Sequence, residues 1–149
     1  MVRIGLGSSW QCVRACDIDA KKCASYRENF GREHLIEGDI GKVSVISSKP
    51  ARLAWASFPC QDTSLAGGYA GLAGERSGTF WLWWRLVEGM ANAGKPYDIL
   101  CIENVRGLLT SNAGTDFAAI CESLTKLGYS IGAAVIRCRS SGECNPQSL

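Results

Sequence analysis

Two short polar segments, Pro59-Cys60-Gln61 and Glu103-Asn104-Val105, carry the residue types that could do chemistry in this sequence. Each follows an apolar run, at residues 53–56 and 97–102, and such runs predict buried strands. In open α/β sheets, ligands bind at the carboxyl ends of the strands. The cysteine is therefore a candidate nucleophile and the glutamate a candidate proton donor, because both groups can act in these ways when positioned at a substrate.

Each segment also has a purely structural interpretation. A lone cysteine is usually a small buried hydrophobic residue, and a glutamate at a strand end often caps the following loop. However, a carboxylate that closes a buried strand is costly unless it is paired or used. We expect Glu103 to be buried at its strand end, and two such segments in one chain favour the catalytic interpretation.

The elements that would position these segments alternate between strand and helix. Helical periodicity and capping residues predict helices over Ala20–Phe30, Thr79–Asn92 and residues 115–127. The most apolar of these carries Trp81, Trp83 and Trp84 and is expected to be buried. Strands are predicted at residues 11–16, at 53–56, at 97–102 and at 131–136, with a weak strand ending around 37–40. This alternation predicts a doubly wound parallel α/β sheet.

Composition limits the classes of protein to which the chain can belong. Its 149 residues suit one globular domain, and a net charge of +2 without a basic run does not by itself predict nucleic-acid binding. Eight cysteines without a C-x-x-C pair indicate a reducing compartment, with neither zinc nor a disulfide framework. No signal peptide is recognised, and no apolar run has the length of a membrane span.

The combination of Phe58-Pro59-Cys60-Gln61 and Glu103-Asn104-Val105 resembles the catalytic segments of the DNA (cytosine-5)-methyltransferases, and the resemblance extends from about residue 5 to about residue 135. It implies an incomplete S-adenosylmethionine-dependent methyltransferase fold without the first strand and the C-terminal part. It also implies methyl transfer from S-adenosylmethionine to cytosine C5 in double-stranded DNA. The implied setting is a restriction-modification system in the bacterial cytoplasm, associated with the nucleoid.

The resemblance also implies roles for individual residues. Cys60 would attack C6 of a flipped-out cytosine, and Glu103 would hold a proton against ring N3. Asn104 and Pro59 would fix the geometry of the cysteine loop. For the cofactor, the resemblance implies the five residues Asp17 (ribose hydroxyls), Ile18 (adenine face), Asp39 (adenine amino group), Ile40 (beside the ring) and Phe80 (start of its helix). Asp19 is expected only to cap the first helix.

Two alternatives stay open from the sequence. The resemblance implies a partial catalytic domain over 1–149, divergent over 137–149 and lacking a target recognition domain. The chain could therefore be an inactive fragment, or one subunit of a split methyltransferase that works with a second polypeptide. The other alternative is a cysteine-dependent hydrolase that pairs Cys60 with His34, the only histidine. That mechanism needs the histidine near the thiol, and His34 lies in a charged stretch expected to be solvated.

Overall fold

The structure is a computed structural model that describes residues 2–45, 49–58 and 78–136, together with the backbone of 137–138 and 144–148. The chain divides into two compact units. The first comprises residues 1–56 and 76–102, and the second comprises residues 57–75 and 103–149.

The described elements alternate between helix and strand as the sequence predicts. In chain order they are α1 (Val2–Leu6), β1 (Ala15–Asp17), α2 (Ala20–Phe30), β2 (Leu35–Glu37), β3 (Leu53–Ser57), α3 (Thr79–Asn92), β4 (Ile99–Glu103), α4 (Thr115–Lys126), β5 (Ala134–Cys138) and β6 (Cys144–Ser148). Short 3-10 turns lie at Ile40–Lys42, Arg106–Leu109 and Ser111–Gly114.

Strands β1 and β2 form a parallel pair in which Asp17 is the partner of Glu37. The helix between them has the predicted bounds. Its N-cap is Asp19, whose carboxylate accepts hydrogen bonds from the backbone N–H groups of Lys21 and Lys22. Its C-cap is Gly31, at φ 76°, a conformation that glycine adopts without steric cost. β1 is shorter than predicted, because strand geometry begins only at Ala15.

Strands β3 and β4 are hydrogen-bonded neighbours. At their first residues, the Arg52 carbonyl accepts from the N–H groups of Asp98 and Ile99, each at 2.9 Å. At their last residues, the Ser57 side chain contacts Glu103. The two strands therefore run in the same direction, so the segments that follow them start from the same edge.

Helix α3 supplies most of the core of the first unit. Seven of its 14 residues are buried: Phe80, Trp81, Trp83, Trp84, Leu86, Val87 and Met90. The Phe80 ring stacks on Trp84, with centroids 6.2 Å apart, and meets Trp81 edge-on at 4.7 Å. The prediction of a buried helix is confirmed. The apolar side chains of α3 cover more of its circumference than the single stripe of an amphipathic helix, as expected of an internal helix.

In the second unit, a left-handed turn leads into α4. Asn112, Ala113 and Gly114 have φ angles of 47°, 56° and 87°, and the first two are uncommon for residues that carry a side chain. Asp116, only 2% exposed, accepts hydrogen bonds from the Ser111 hydroxyl and, at 2.9 and 3.1 Å, from the Asn112 amide. The buried carboxylate thus holds the turn in its strained conformation.

Strands β5 and β6 form an antiparallel pair, with Ala134 opposite Ser148 and Cys138 opposite Cys144. The sequence predicts no strand beyond residue 136, so β6 and its antiparallel pairing with β5 are additions to the predicted arrangement. The segment between the two strands is too short for the crossover that a parallel pair requires.

Replacing Asp116 by alanine is expected to lower the free energy of unfolding by roughly 2–4 kcal/mol, since Ser111 and Asn112 would lose their buried acceptor. Asp116→Asn, which keeps one carbonyl oxygen, should lose less. Urea unfolding followed by circular dichroism measures both changes. As a control, Lys126→Ala removes an exposed ion pair with Glu122 and should cost no more than about 0.5 kcal/mol. An unchanged urea midpoint for Asp116→Ala would contradict this role.

Candidate active site

The two candidate catalytic residues that the structure describes, Glu103 and Asn104, lie at the end of β4 and contact the end of β3. The Asn104 side-chain N–H donates to the Phe58 carbonyl at 2.9 Å. The Asn104 side-chain oxygen accepts from the Val105 N–H, also at 2.9 Å. One amide therefore ties the segment after β4 to the last described residue before Pro59 and Cys60. These two residues lie outside the described part of the chain.

Glu103 is the last residue of β4, and its carboxylate accepts a hydrogen bond from the Ser57 hydroxyl. The expectation that Glu103 is buried is wrong, because its side chain is exposed. β4 alternates its side chains between two faces, and the final position points to solvent. The hydrogen bond engages Oε2, and among the described residues no donor reaches Oε1.

Four of the predicted cofactor residues come together at the carboxyl ends of β1 and β2. Asp17 ends β1, and Ile18 follows with 74% of its surface exposed. The Gly38 N–H donates to the Asp17 carbonyl at 2.9 Å, which holds the segment after β2 beside the end of β1. Asp39 and Ile40 come directly after that bond. The parallel register, rather than proximity in sequence, brings these residues together.

The carboxylates of Asp17 and Asp39 each accept one hydrogen bond from a nearby backbone N–H group. One Asp17 oxygen accepts from the Asp19 N–H at 2.9 Å, and one Asp39 oxygen accepts from the Gly41 N–H at 2.8 Å. Within the described residues, the second oxygen of each carboxylate has no donor. These two acceptors and the exposed Ile18 side chain fit an adenosine group, which needs acceptors for its ribose hydroxyls and amino group and an apolar surface for its ring.

A cavity of about 500 Å³ lies between α1, β1 and α2, and Asp17 lines it together with Cys16, Cys23 and Tyr26. Ile18, Asp39 and Ile40 do not line this cavity. The grouping of the cofactor residues therefore rests on the strand ends and not on this cavity.

Phe80 differs from the other four predicted cofactor residues. It has no exposed surface, and its ring contacts Trp81, Trp83 and Trp84. The side chain of Phe80 therefore lies in the core of the first unit. The role that the resemblance implies for Phe80 concerns the backbone at the start of α3, and it stays a prediction.

Three thiols outside the cysteine segment are poor nucleophiles. Burial, followed by the nearby Asp17 carboxylate, raises the pKa of Cys16. Burial, followed by Glu37, raises the pKa of Cys23, and burial raises the pKa of Cys121. Because the thiolate is the reactive form, the raised pKa makes Cys16, Cys23 and Cys121 weaker candidates for a nucleophile.

The sequence did not single out Ser57, although its side chain contacts Glu103 directly. The signal that could have found it is the alternation of side chains along β3, where Ala56 is buried and Ser57 is exposed. His34, expected to be solvated, is half-buried because it begins the segment that pairs with β1.

The described residues contain no group of three or more His, Cys, Asp or Glu side chains that could hold a metal ion. None of the described helices combines the length and the apolar character needed to cross a membrane.

Comparison with known proteins gives relatives that match most of this chain. The Type II methyltransferase M2.BsuMI of Bacillus subtilis (strain 168) is 34% identical over 142 residues, which is 95% of this chain and 36% of the relative. The Type II methyltransferase M.BanI of Aneurinibacillus aneurinilyticus is 33% identical over 132 residues, which is 89% of this chain and 29% of the relative. The chain thus spans about a third of the length of these proteins.

A solved structure with a similar fold is the Dnmt2 methyltransferase of S. pombe, with a TM-score of 0.63 over 85% of this chain and 38% of that one. The sequence identity is 22%, so this likeness shows the fold, the α/β fold of a methyltransferase. A family model described as C-5 cytosine-specific DNA methylase matches residues 2–148. Because this match covers nearly the whole sequence, the chain belongs to the C-5 cytosine-specific DNA methylase family.

Proposed function

We propose that this chain carries the catalytic segments of an S-adenosylmethionine-dependent DNA (cytosine-5)-methyltransferase of a restriction-modification system. The observation that carries the proposal is the pairing of the two strand ends. Asn104 holds the Phe58 carbonyl, so the glutamate segment is fixed beside the segment that leads into Pro59 and Cys60. Support for the setting comes from the relatives, which are Type II methyltransferases.

Cytosine C5 is a poor nucleophile and needs covalent activation. In the proposed reaction, the Cys60 thiolate forms a bond to C6, and the displaced electron pair moves through C5 and C4 to N3. N3 takes a proton from Glu103, which leaves an enamine with a nucleophilic C5. After methyl transfer, water takes the C5 proton and its electron pair re-forms the C5–C6 double bond as the thiolate leaves C6. The N3 proton returns to Glu103, which gives neutral 5-methylcytosine and frees Cys60.

The positions of the described residues suit these roles. The Glu103 carboxyl is exposed at the strand end, where a base can approach it, and its Oε1 is free of donors among the described residues. A cytosine inside a duplex cannot reach such a site, so the base must leave the stack. Asn104 is proposed to fix the backbone of the site, because its amide nitrogen donates to the Phe58 carbonyl and its amide oxygen accepts from the Val105 N–H.

S-adenosylmethionine supplies the activated methyl group. We propose that Asp17 accepts hydrogen bonds from its ribose hydroxyls and that Asp39 accepts one from its adenine amino group. Ile18 and Ile40 would flank the ring. The free carboxylate oxygens at the ends of β1 and β2, and the exposed Ile18 side chain, support this arrangement.

Cofactor binding can be tested separately from catalysis. Asp17→Ala is expected to weaken S-adenosylmethionine binding by about 10- to 100-fold, since hydrogen bonds to a charged acceptor contribute roughly 1.5–3 kcal/mol. Isothermal titration calorimetry measures the dissociation constant.

The matched control is Asp19→Ala, which removes a neighbouring carboxylate that caps α2. Loss of the cap should lower the free energy of unfolding of this variant by about 1 kcal/mol. The folded fraction of the variant should bind the cofactor with a dissociation constant within about twofold of the wild type. Equal weakening in both variants would contradict a specific role for Asp17.

Covalent capture tests the reaction itself. Duplexes that carry 5-fluorocytosine should form a stable adduct with the wild-type chain and S-adenosylmethionine, because the fluorine at C5 cannot leave as a proton does. Cys60→Ser should form none. The adduct is read by its retarded migration on a denaturing gel.

A second series adds a polypeptide that contains a target recognition domain. Adduct formation only in this series would show that the activity requires two chains. Adduct formation with Cys60→Ser, or no adduct in either series, would contradict the proposed mechanism.

A further inference from the structure

We infer that Ser57 is a positioning residue for Glu103: its hydroxyl holds one carboxyl oxygen so that the proton for the base is carried on the other. The inference rests on the proposed function, since it concerns the group that would protonate cytosine N3. Nothing in the catalytic segments themselves points to this serine.

The contact joins residues 46 positions apart in the sequence. Ser57 is the last residue of β3 and Glu103 the last residue of β4, so the parallel strands bring the two side chains to the same edge. Ala56 is buried, and the alternation along a strand therefore turns Ser57 outward, onto the face where Glu103 is exposed.

The direction of the hydrogen bond decides which oxygen carries the proton. An ionised carboxylate has only acceptors, so the serine hydroxyl donates to Oε2. When the acid is protonated, Oε2 can keep accepting from Ser57 if it is the carbonyl oxygen. The proton then resides on Oε1, which has no donor among the described residues.

An exposed glutamate side chain without such a contact would rotate among several conformers. Immobilising a flexible side chain costs roughly 0.5–1.5 kcal/mol. The hydrogen bond from Ser57 already orders the Glu103 side chain in the chain without substrate. This ordering is therefore not required when the base binds. The effect of Ser57 should therefore fall on the rate of the chemical step and not on the affinity for the cofactor.

The test measures the rate of adduct formation with 5-fluorocytosine duplexes under single-turnover conditions. Ser57→Ala should slow adduct formation about 10-fold at saturating DNA, which is the size of one hydrogen bond to a charged group. Ser57→Thr keeps a hydroxyl and should restore most of the rate. Ser130→Ala, an exposed serine after α4, is the matched control and should leave the rate unchanged.

A double-mutant cycle shows whether Ser57 acts through Glu103. In a Glu103→Ala background, the further change Ser57→Ala should have no effect on the residual rate, because its partner is gone. The affinity for S-adenosylmethionine and the urea unfolding midpoint should be the same in Ser57→Ala and the wild type. These two measurements separate a positioning role from a folding defect.

The outcomes are distinguishable. A wild-type rate in Ser57→Ala, or an equal loss in both backgrounds, would overturn this inference and leave the proposed function standing. No adduct with the wild type, with or without the recognition polypeptide, would overturn the proposed function and this inference together.

Discussion

The candidate chemistry depends on a contact between the ends of two parallel strands. β3 ends at Ser57 and β4 ends at Glu103, and two side-chain hydrogen bonds join the segments at this point. One of them, from the Asn104 side chain to the Phe58 carbonyl, ties the segment after β4 to the backbone at the end of β3. The other, from Ser57 to Glu103, fixes a side chain that could transfer a proton. A mechanism that needs a thiol and an acid on one base requires both kinds of restraint, because small displacements of reacting groups are costly.

The exposure of Glu103 changes how its chemistry is explained. The sequence suggested that burial would favour the protonated acid, but the side chain lies at the surface of the described chain. Among the described residues, its side-chain partner is the neutral hydroxyl of Ser57. The proposed role of Glu103 therefore depends on this hydrogen bond and on its place at the end of β4, and not on burial.

Hydrogen bonds also orient the carboxylates proposed for the cofactor, at the ends of β1 and β2. Asp17 and Asp39 each use one oxygen to organise the turn that follows their strand, and no donor from the described part of the chain reaches the other oxygen. The backbone bonds orient the carboxylates before any ligand binds. Preorganised acceptors of this kind lower the cost of ordering the site on binding. Burial raises the pKa of the neighbouring thiols of Cys16 and Cys23.

The sequence by itself determined the local features of this protein. The bounds of α2 and α3, the caps at Asp19 and Gly31, and the two polar segments after apolar strands could all be read from neighbouring residues. These features depend on helical periodicity and on hydrogen bonds within a few positions, which sequence patterns report directly. The family followed from the same segments, since their combination is specific.

Only the tertiary structure decided which distant residues meet and which are covered. The partner of Glu103 lies 46 positions away, the rings around Phe80 place it in the core, and the short connection makes β5 and β6 antiparallel. A strand pattern gives the two faces of each strand but not the register with its neighbour. Exposure at a strand end is set by what packs there, so the roles of Ser57, Glu103 and Phe80 depended on the fold.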